Sequence, residues 1–469
     1  MSSAAIMREP EPPYRIIFDR QKANFATDAT KSYAWRVEQL ERMIRMLGDN
    51  RARFAEAVRS DFKTALQEHV FEVEATIGSL QATRTQLADW MKPVEAPIPK
   101  FLAESGHKGI VRREPYGVTL ILCPFNGPLL LSLRPAAAAL AAGNPCIMKL
   151  SDLTPATNAA LLDLLPCYFD AKDFAAVTVD REDMAEMMKL PFDFIFLTGS
   201  VAAGKAVMRA AAEHLTPVLL ELGGQNPAIV DATANIPDAA KKLVWGATAW
   251  GGQWCTSPGY AAVHESVADA FVAECAKAVV ELYGSEPKGN PDLSRIINPA
   301  SVRRLAALID RDKIVFGGRS DEAACYVDPT ILYPVAWSDK VMENEIFGPI
   351  LPVLPFSNLG SLLARIKAMP KPLAGYVFSR DQRTIDRVVD SLSFGGGAVN
   401  QTNVFLFVET MPYGGVGTSG IGHYYGRHGF EALSHAKSML ISPPDVAIDH
   451  LFPPFTEEKV RETALWQDY

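Results

Sequence analysis

Between residues 31 and 90, apolar side chains recur three and four positions apart, as in Ala34, Val37, Leu40, Met43, Ile44 and Leu47. That spacing puts them on one face of a helix. Gly48 predicts the end of this helix, and two more follow, broken at 61–63. The proline-rich stretch 92–100 closes the helical region, and 101–115 reads as an extended, partly polar excursion. From residue 117 the pattern changes to short apolar runs alternating with amphipathic segments. Strands are expected at 117–123, 145–149, 174–179, 192–197 and 217–221, and helices at 128–142, 154–166, 181–189 and 203–214. Such alternation implies a parallel sheet covered on both faces, with ligands beyond the carboxyl ends of its strands. A second run begins near Asn226, with helices at 238–249 and 267–283 and strands at 260–264, 313–316, 351–355 and 375–378. The fold class is α/β: two such domains, the first with a helical N-terminal extension.

Composition narrows the setting. Of 469 residues, 48% are hydrophobic and 21% charged, the balance of a globular chain rather than a disordered one. A net charge of −8 without basic runs argues against a nucleic-acid partner. The most apolar stretch, 118–150, is interrupted by Pro124, Asn126, Gly127, Pro128, Arg134 and Pro135, so it reads as buried core and not as a membrane span. Residues 1–15 carry no apolar signal core and 447–469 are charged throughout, which leads to a cytoplasmic expectation without a membrane anchor. The six cysteines are dispersed, with no Cys-x-x-Cys and no His-Glu-x-x-His, so neither disulfides nor a metal site is expected.

Two glycine-rich patterns have familiar spacing. Gly415-Val-Gly417-Thr-Ser-Gly420 matches the dinucleotide fingerprint, but it follows Met411-Pro412-Tyr413, and too little chain remains after it for a domain. It reads as a turn. Gly199-Ser-Val-Ala-Ala-Gly204-Lys205-Ala206 has the spacing of a phosphate-binding loop between a strand and a helix. A nucleotide hydrolase would need Ser or Thr where Ala206 stands, to reach magnesium. The weaker inference survives: a glycine-rich helix start can hold a pyrophosphate.

Cys255 lies in Gly251-Gly252-Gln253-Trp254-Cys255-Thr256, and the glycines and polar neighbours suit an exposed loop. The other five cysteines read as small core residues. A nucleophilic thiol must be held toward thiolate at neutral pH. Glu221 ends a buried strand, where a carboxylate is costly unless paired or functional, and periodicity weighs the two readings equally. Asn126 sits where a strand hands over to a helix, the usual place of a turn asparagine.

With their contexts, these residues resemble the aldehyde dehydrogenase superfamily over about 36–454. Asn126 matches its Pro-Trp-Asn motif. Ala141-Ala-Gly-Asn144 with Lys149-Leu-Ser-Asp152 matches Ala-Ala-Gly-Asn…Lys-Pro-Ser-Glu, and Phe196-Leu-Thr-Gly-Ser200 matches Phe-Thr-Gly-Ser. Glu221-Leu-Gly-Gly224, Gly252-Gln-Trp-Cys255, Glu345-Ile-Phe-Gly-Pro349 and Pro412-Tyr-Gly-Gly415 follow in family order. The ending Leu451-Phe-Pro-Pro-Phe455 resembles the class 3 and coniferyl-aldehyde dehydrogenase branch.

The resemblance implies a Rossmann-type cofactor domain with its N-terminal helices over 1–223, its oligomerisation arm at 101–115, an α/β catalytic domain over 224–416, and a C-terminal return with an oligomerisation strand over 417–469. It implies NAD(P)-dependent oxidation of an aldehyde to the acid. Cys255 attacks the carbonyl, the Asn126 amide and the Cys255 N–H hold the oxyanion, and Glu221 activates the water that hydrolyses the thioester. Lys149 and Asp152 are assigned to the adenosine ribose, Gly199, Ser200 and Gly204 to the pyrophosphate, and Glu345 and Phe347 to the nicotinamide ribose. A homodimer is expected.

Departures leave choices open. Asp152 stands for a longer glutamate and Val179-Asp180 for a Gly-Gly, so NAD is favoured with NADP possible. Gly127 replaces a frequent aromatic and Trp254 a small residue. Trp254 is therefore expected to supply the missing ring from another wall, with Phe405 and Phe407, favouring a flat aromatic aldehyde over a medium-chain aliphatic one. The alternative is that Trp254 packs in the core. A coenzyme A-acylating dehydrogenase is the competing chemistry, and Glu221 argues for water over a thiol.

Overall fold

The computed structural model describes residues 12–462; the expectations placed on 1–11 and 463–469 lie outside these described residues. The helical start is longer than its spacing predicts. Helix α1 (Pro13–Phe25) precedes α2 (Tyr33–Asp49), α3 (Arg51–Asp61) and α4 (Leu66–Trp90). Its buried face is Tyr14, Phe18 and Gln21, and the Gln21 amide donates to the carbonyls of Cys146 and Ala171 at 3.0 Å each. The prolines around residue 12 mask this face in the sequence.

The excursion after the helices is not wholly extended. Strand β1 (Val94–Ala96) leads into a short helix α5 (Lys100–Glu104) and then β2 (Lys108–Pro115).

The first α/β unit follows as β3 (Thr119–Leu122), α6 (Leu130–Ala142), β4 (Cys146–Lys149), α7 (Pro155–Tyr168), β5 (Phe174–Val177), α8 (Arg181–Met187), β6 (Phe194–Thr198), α9 (Val201–Ala212) and β7 (Val218–Glu221). Its five parallel strands lie in the order β7-β6-β3-β4-β5, so the first strand in sequence is central. The order reverses between β3 and β6, and a ligand crevice opens at such a point beyond the strand ends. Two segments meet there: Cys123–Asn126 after β3, and Gly199-Ser200 after β6.

The second unit comprises β8 (Asn226–Val230), α10 (Ile236–Thr248), β9 (Pro258–His264), α11 (Glu265–Tyr283), α12 (Pro299–Ala306), β10 (Ile314–Phe316), β11 (Ser320–Asp321), β12 (Tyr326–Val327), β13 (Thr330–Leu332), β14 (Ile350–Phe356), α13 (Leu359–Lys367), β15 (Ala374–Phe378), α14 (Gln382–Ser391) and β16 (Gly396–Val399). Its seven-stranded sheet runs β10-β13-β14-β9-β8-β15-β16, parallel except at β10. The sequence pattern misses β13 and β16, three and four residues long, because such short runs carry little periodicity.

The chain then returns to the first unit. Strand β17 (Gly420–Ile421) pairs antiparallel with β7, setting Gly420 opposite Glu221. A side chain on Gly420 would meet the Leu220 carbonyl at 2.4 Å, so the expected glycine-rich turn is a packing device. Helix α15 (Gly426–Ala432) leads to β18 (Ser434–Ile441), which pairs along all of β2, and α16 (Glu457–Glu462) follows. Seven of eight β18 residues are exposed, Met439, Leu440 and Ile441 among them. Among the described residues no helix is long and apolar enough to cross a membrane, and no group of acidic, His and Cys side chains could hold a metal ion.

Candidate active site

Cys255 follows a run of left-handed backbone: Trp250, Gly251 and Gly252 have φ of +57°, +65° and +68°. A Cβ on Gly252 would sit 2.2 Å from the Gly348 carbonyl carbon, so the loop can approach that segment only without a side chain. The Asn226 amide, at the start of β8, donates to the carbonyls of Cys255 and Ser257 at 2.8 and 2.9 Å. Its oxygen accepts from Ala374 N–H at 2.8 Å, tying the loop to two strands. Gln253 does the same on the other side, reaching the Trp250 and Arg295 carbonyls and accepting from Ile297 N–H.

Asn126, Glu221 and Cys255 all line one cavity of about 400 Å³ at the β3/β6 crevice, together with Glu345 and Phe347. Three segments distant in sequence therefore converge. Both Glu221 carboxylate oxygens are buried with no hydrogen-bond partner. Burial pushes the Glu221 carboxyl well above the ordinary range. Cys255 is more enclosed than its glycine-rich loop suggests. Burial pushes its thiol up to about 12, with Glu345 and Glu221 adding to the rise and a hydrogen bond with Tyr413 opposing it.

The chain matches the model of the aldehyde dehydrogenase family over residues 14–439. It is 38% identical over 441 residues to the 4,4'-diaponeurosporen-aldehyde dehydrogenase of Staphylococcus aureus (strain NCTC 8325 / PS 47), covering 93% of this chain and 96% of that one. Aldehyde dehydrogenase family 3 member B1 of Rattus norvegicus is 36% identical over 440 residues, covering 93% and 94%. The solved structure described as the substrate-bound state of Staphylococcus aureus AldH superposes with a TM-score of 0.94 at 37% identity, covering 97% of this chain and 100% of that one. The chain belongs to the aldehyde dehydrogenase family. As an aldehyde dehydrogenase it is an NAD(P)-dependent oxidoreductase that converts an aldehyde to an acid, and its relatives include class 3 enzymes.

The residues of this aldehyde dehydrogenase fit such a cofactor. Ser200 caps α9, its hydroxyl accepting from Ala203 N–H at 3.2 Å, and Gly199 and Ser200 line the cavity. The Thr198 hydroxyl is buried on the same wall without a partner in the protein. Glu345 lies so close to the chain at Gly223 that a Cβ there would meet its oxygens at 2.2 Å. Burial raises its carboxyl to about 7 against the Gly224 amide and Arg304, which favour the charged form. Gly204, by contrast, does not line the cavity. It packs on Leu222, where a Cβ would be 2.9 Å from a methyl carbon.

Lys149 and Asp152 lie outside this cavity, paired at 2.8 Å. Asp152 borders a second, shallower hollow with Asp180, Asp183, Val179 and Tyr14.

None of the four residues expected in the substrate pocket lines the cavity. Gly127 is buried at the start of α6, and a Cβ there would be 2.6 Å from Leu131 Cγ, so close packing accounts for the glycine. Trp254 is only 6% exposed. Its ring stacks on Trp250 at 4.4 Å and 4°, with Trp245 edge-on at 6.2 Å. The alternative reading, a core tryptophan, describes this position. Phe405 packs by Gly396 and Tyr376, while Phe407 is 46% exposed, 5.2 Å from Phe71 and 6.5 Å from Trp254. Cavity residues that sequence reasoning missed include Phe125, Leu131, Thr198, Tyr413 and Tyr424. Thr198 and Tyr413 lie inside the motifs Phe196–Ser200 and Pro412–Gly415. Nothing in the sequence ties Tyr413 to Cys255.

Proposed function

We propose that this aldehyde dehydrogenase acts through a thioester on Cys255, with Asn126 and the Cys255 N–H as oxyanion donors and Glu221 as the base for hydrolysis. The convergence of these three residues in one cavity supports the reading. Sulfur adds to the aldehyde carbon, and the carbonyl π pair moves onto oxygen between the two donors. Removing one such donor typically costs about 2.7–4 kcal/mol of barrier. Bound NAD(P) supplies the acceptor for the hydride that leaves this carbon; Glu345, Phe347, Gly199 and Ser200 would hold it. Glu221, in its ionised form, then takes a proton from the attacking water, and the C–S bond breaks with its electron pair left on sulfur.

NAD is the favoured cofactor. Asp152, Asp180 and Asp183 share the outer hollow, and that much negative charge would repel a 2′-phosphate. For the substrate, Phe407, Val408 and Met411 expose apolar side chains within five residues of one another, and the Phe407 ring lies 5.2 Å from that of Phe71. Together with the 4,4'-diaponeurosporen-aldehyde in the name of the Staphylococcus aureus relative, this supports an extended apolar aldehyde over a small aromatic one. β18 at the edge of the three-stranded arm suits pairing with a second copy, hence a homodimer. A cytoplasmic enzyme is in keeping with the dispersed free cysteines.

The test is an aldehyde panel followed by NADH and NADPH absorbance. Each methylene entering an apolar mouth is worth about 0.8 kcal/mol, so kcat/KM should rise about fourfold per carbon along an alkanal series. Higher values for benzaldehyde than for long alkanals would reject the substrate reading. Turnover retained in Cys255→Ser would reject the nucleophile.

A further inference from the structure

The Tyr413 hydroxyl lies 3.1 Å from Cys255 Sγ, and both side chains face the cavity that holds Glu221. The phenol is held from several directions. Tyr413 and Tyr424 exchange backbone hydrogen bonds of 2.9 and 2.7 Å, an isolated two-residue bridge. The Tyr413 ring stacks on Tyr425 at 5.0 Å and 23°, and meets Tyr424 nearly edge-on at 5.7 Å. Tyr425 is itself fixed beneath the Arg134 guanidinium, 5.0 Å from its ring, and Arg134 is paired with Glu409 at 2.7 Å. With its ring clamped and its backbone paired, Tyr413 presents its hydroxyl in one place, against the sulfur.

The charge inventory gives that contact a purpose. Among the described residues the cavity wall contains no Lys, Arg or His. The titratable groups around Cys255 are Glu221 at the end of β7, Glu345 in the loop before β14, Tyr376 on β15, and Tyr413, Tyr424 and Tyr425 in the C-terminal return. Both carboxylates repel a thiolate. A cysteine nucleophile ordinarily gains its charge beside a cation or a helix N-terminus, and here a neutral donor must serve instead. Tyr413 can only be that donor, because burial holds its phenol in the protonated form.

We propose that Tyr413 is a catalytic residue whose phenol donates a hydrogen bond to the Cys255 sulfur. This rests on the reading of Cys255 as the nucleophile. When the thiol proton departs to the Glu221 carboxylate or to water, the phenol stabilises the thiolate that attacks the aldehyde carbon. When water adds to the thioester and the C–S bond breaks, its electron pair stays on sulfur, and the same phenol donates a hydrogen bond to the thiolate formed. Its own O–H bond stays intact in both steps.

The experiment compares Tyr413→Phe with the parent, cofactor-free, by the pH dependence of iodoacetamide labelling read site by site by mass spectrometry. The exposed Cys167 serves as internal reference. Loss of the hydroxyl should move the Cys255 labelling midpoint up by about one pH unit, so that labelling at a fixed lower pH slows about tenfold. Cys167 should label alike in both proteins. The limb of kcat/KM against pH should shift in the same sense. Superimposable Cys255 profiles would overturn the proposal and leave Tyr413 as packing. If the parent Cys255 is not labelled at all, or Cys255→Ser turns over, the nucleophile reading fails first. A Tyr413→Phe protein that melts with the parent but shows the shifted profile separates chemistry from folding.

Discussion

Substituting Glu72 by glutamine tests how the helical N-terminus supports the catalytic loops. Glu72 is fully buried on α4, with one carboxylate oxygen paired to the buried Lys63 and the other accepting from the amides of Leu129 and Leu130 at 3.1 and 2.8 Å. Those amides start α6, three residues after Asn126. Lys63 in turn stands 3.0 Å over the centre of the Trp250 ring, and Glu68 accepts from Trp250 N–H at 2.7 Å, so the same helix braces the Cys255 loop. Glu72→Gln keeps an oxygen for the two amides and removes only the charge facing Lys63. Breaking a buried pair in this way costs about 3–5 kcal/mol. At about 2.1 cal/mol/K per residue the whole chain unfolds with an entropy of about 1 kcal/mol/K, so the melting temperature should fall by about 3–5 °C. Adding Lys63→Met removes the stranded ammonium and should recover most of the loss. Glu72→Leu strands the two amides as well, at about 1–3 kcal/mol each, and Lys63→Met should restore only the part due to the ammonium. Thermal melts of these four variants and the parent, with kcat alongside, decide the matter. A Glu72→Gln protein that melts with the parent, or no recovery from Lys63→Met, would refute the reasoning.

Glu221→Gln should abolish thioester hydrolysis and with it the rise of turnover with pH. On the proposed mechanism that rise is expected, because Glu221 must lose a proton that burial holds above the ordinary carboxylate range. Between the unfolded and folded pKa the native state binds the extra proton, so the native glutamate loses stability as pH rises, and the glutamine variant should melt higher than the parent at neutral pH. A pH-independent difference in melting would contradict this. Trp254→Ala should cost about 3–5 kcal/mol by emptying the stack on Trp250, and lower kcat for aromatic and aliphatic aldehydes together. A selective loss with aromatic substrates would restore the pocket role to Trp254. Gly252→Ala should largely eliminate activity, since its Cβ cannot coexist with the Gly348 carbonyl carbon at 2.2 Å; normal labelling and turnover would argue that the loop can yield.

Much of the fold is local enough to be read along the chain. The helical face running through Leu40, Met43 and Leu47 is buried as its spacing predicts, and the strand–helix alternation after residue 117 matches the first sheet within a few residues at each end. Elements that escaped include α1 behind its prolines, the helical turn α5, the short strands β13 and β16, and also the amphipathic helices α12, α13 and α14 of the second unit. At the site, Cys255, Glu221 and Asn126 are candidates only through the motifs around them, since none of the three decides anything singly. A cysteine sits among glycines, a carboxylate ends a buried strand, and an amide stands at a strand exit.

The sequence by itself determined the family and the two α/β units, since these depend on periodicity and on motifs of a few neighbouring positions. Only the tertiary structure decided that Trp254 stacks on Trp250, that Gly204 packs under Leu222, that Lys63 and Glu72 brace both loops, and that Tyr413 reaches the sulfur. An aromatic ring favours a core stack and a pocket wall for the same hydrophobic reason. A buried charge needs a partner that sequence spacing does not name. Which distant surfaces meet is settled by packing, and packing is a property of the whole chain.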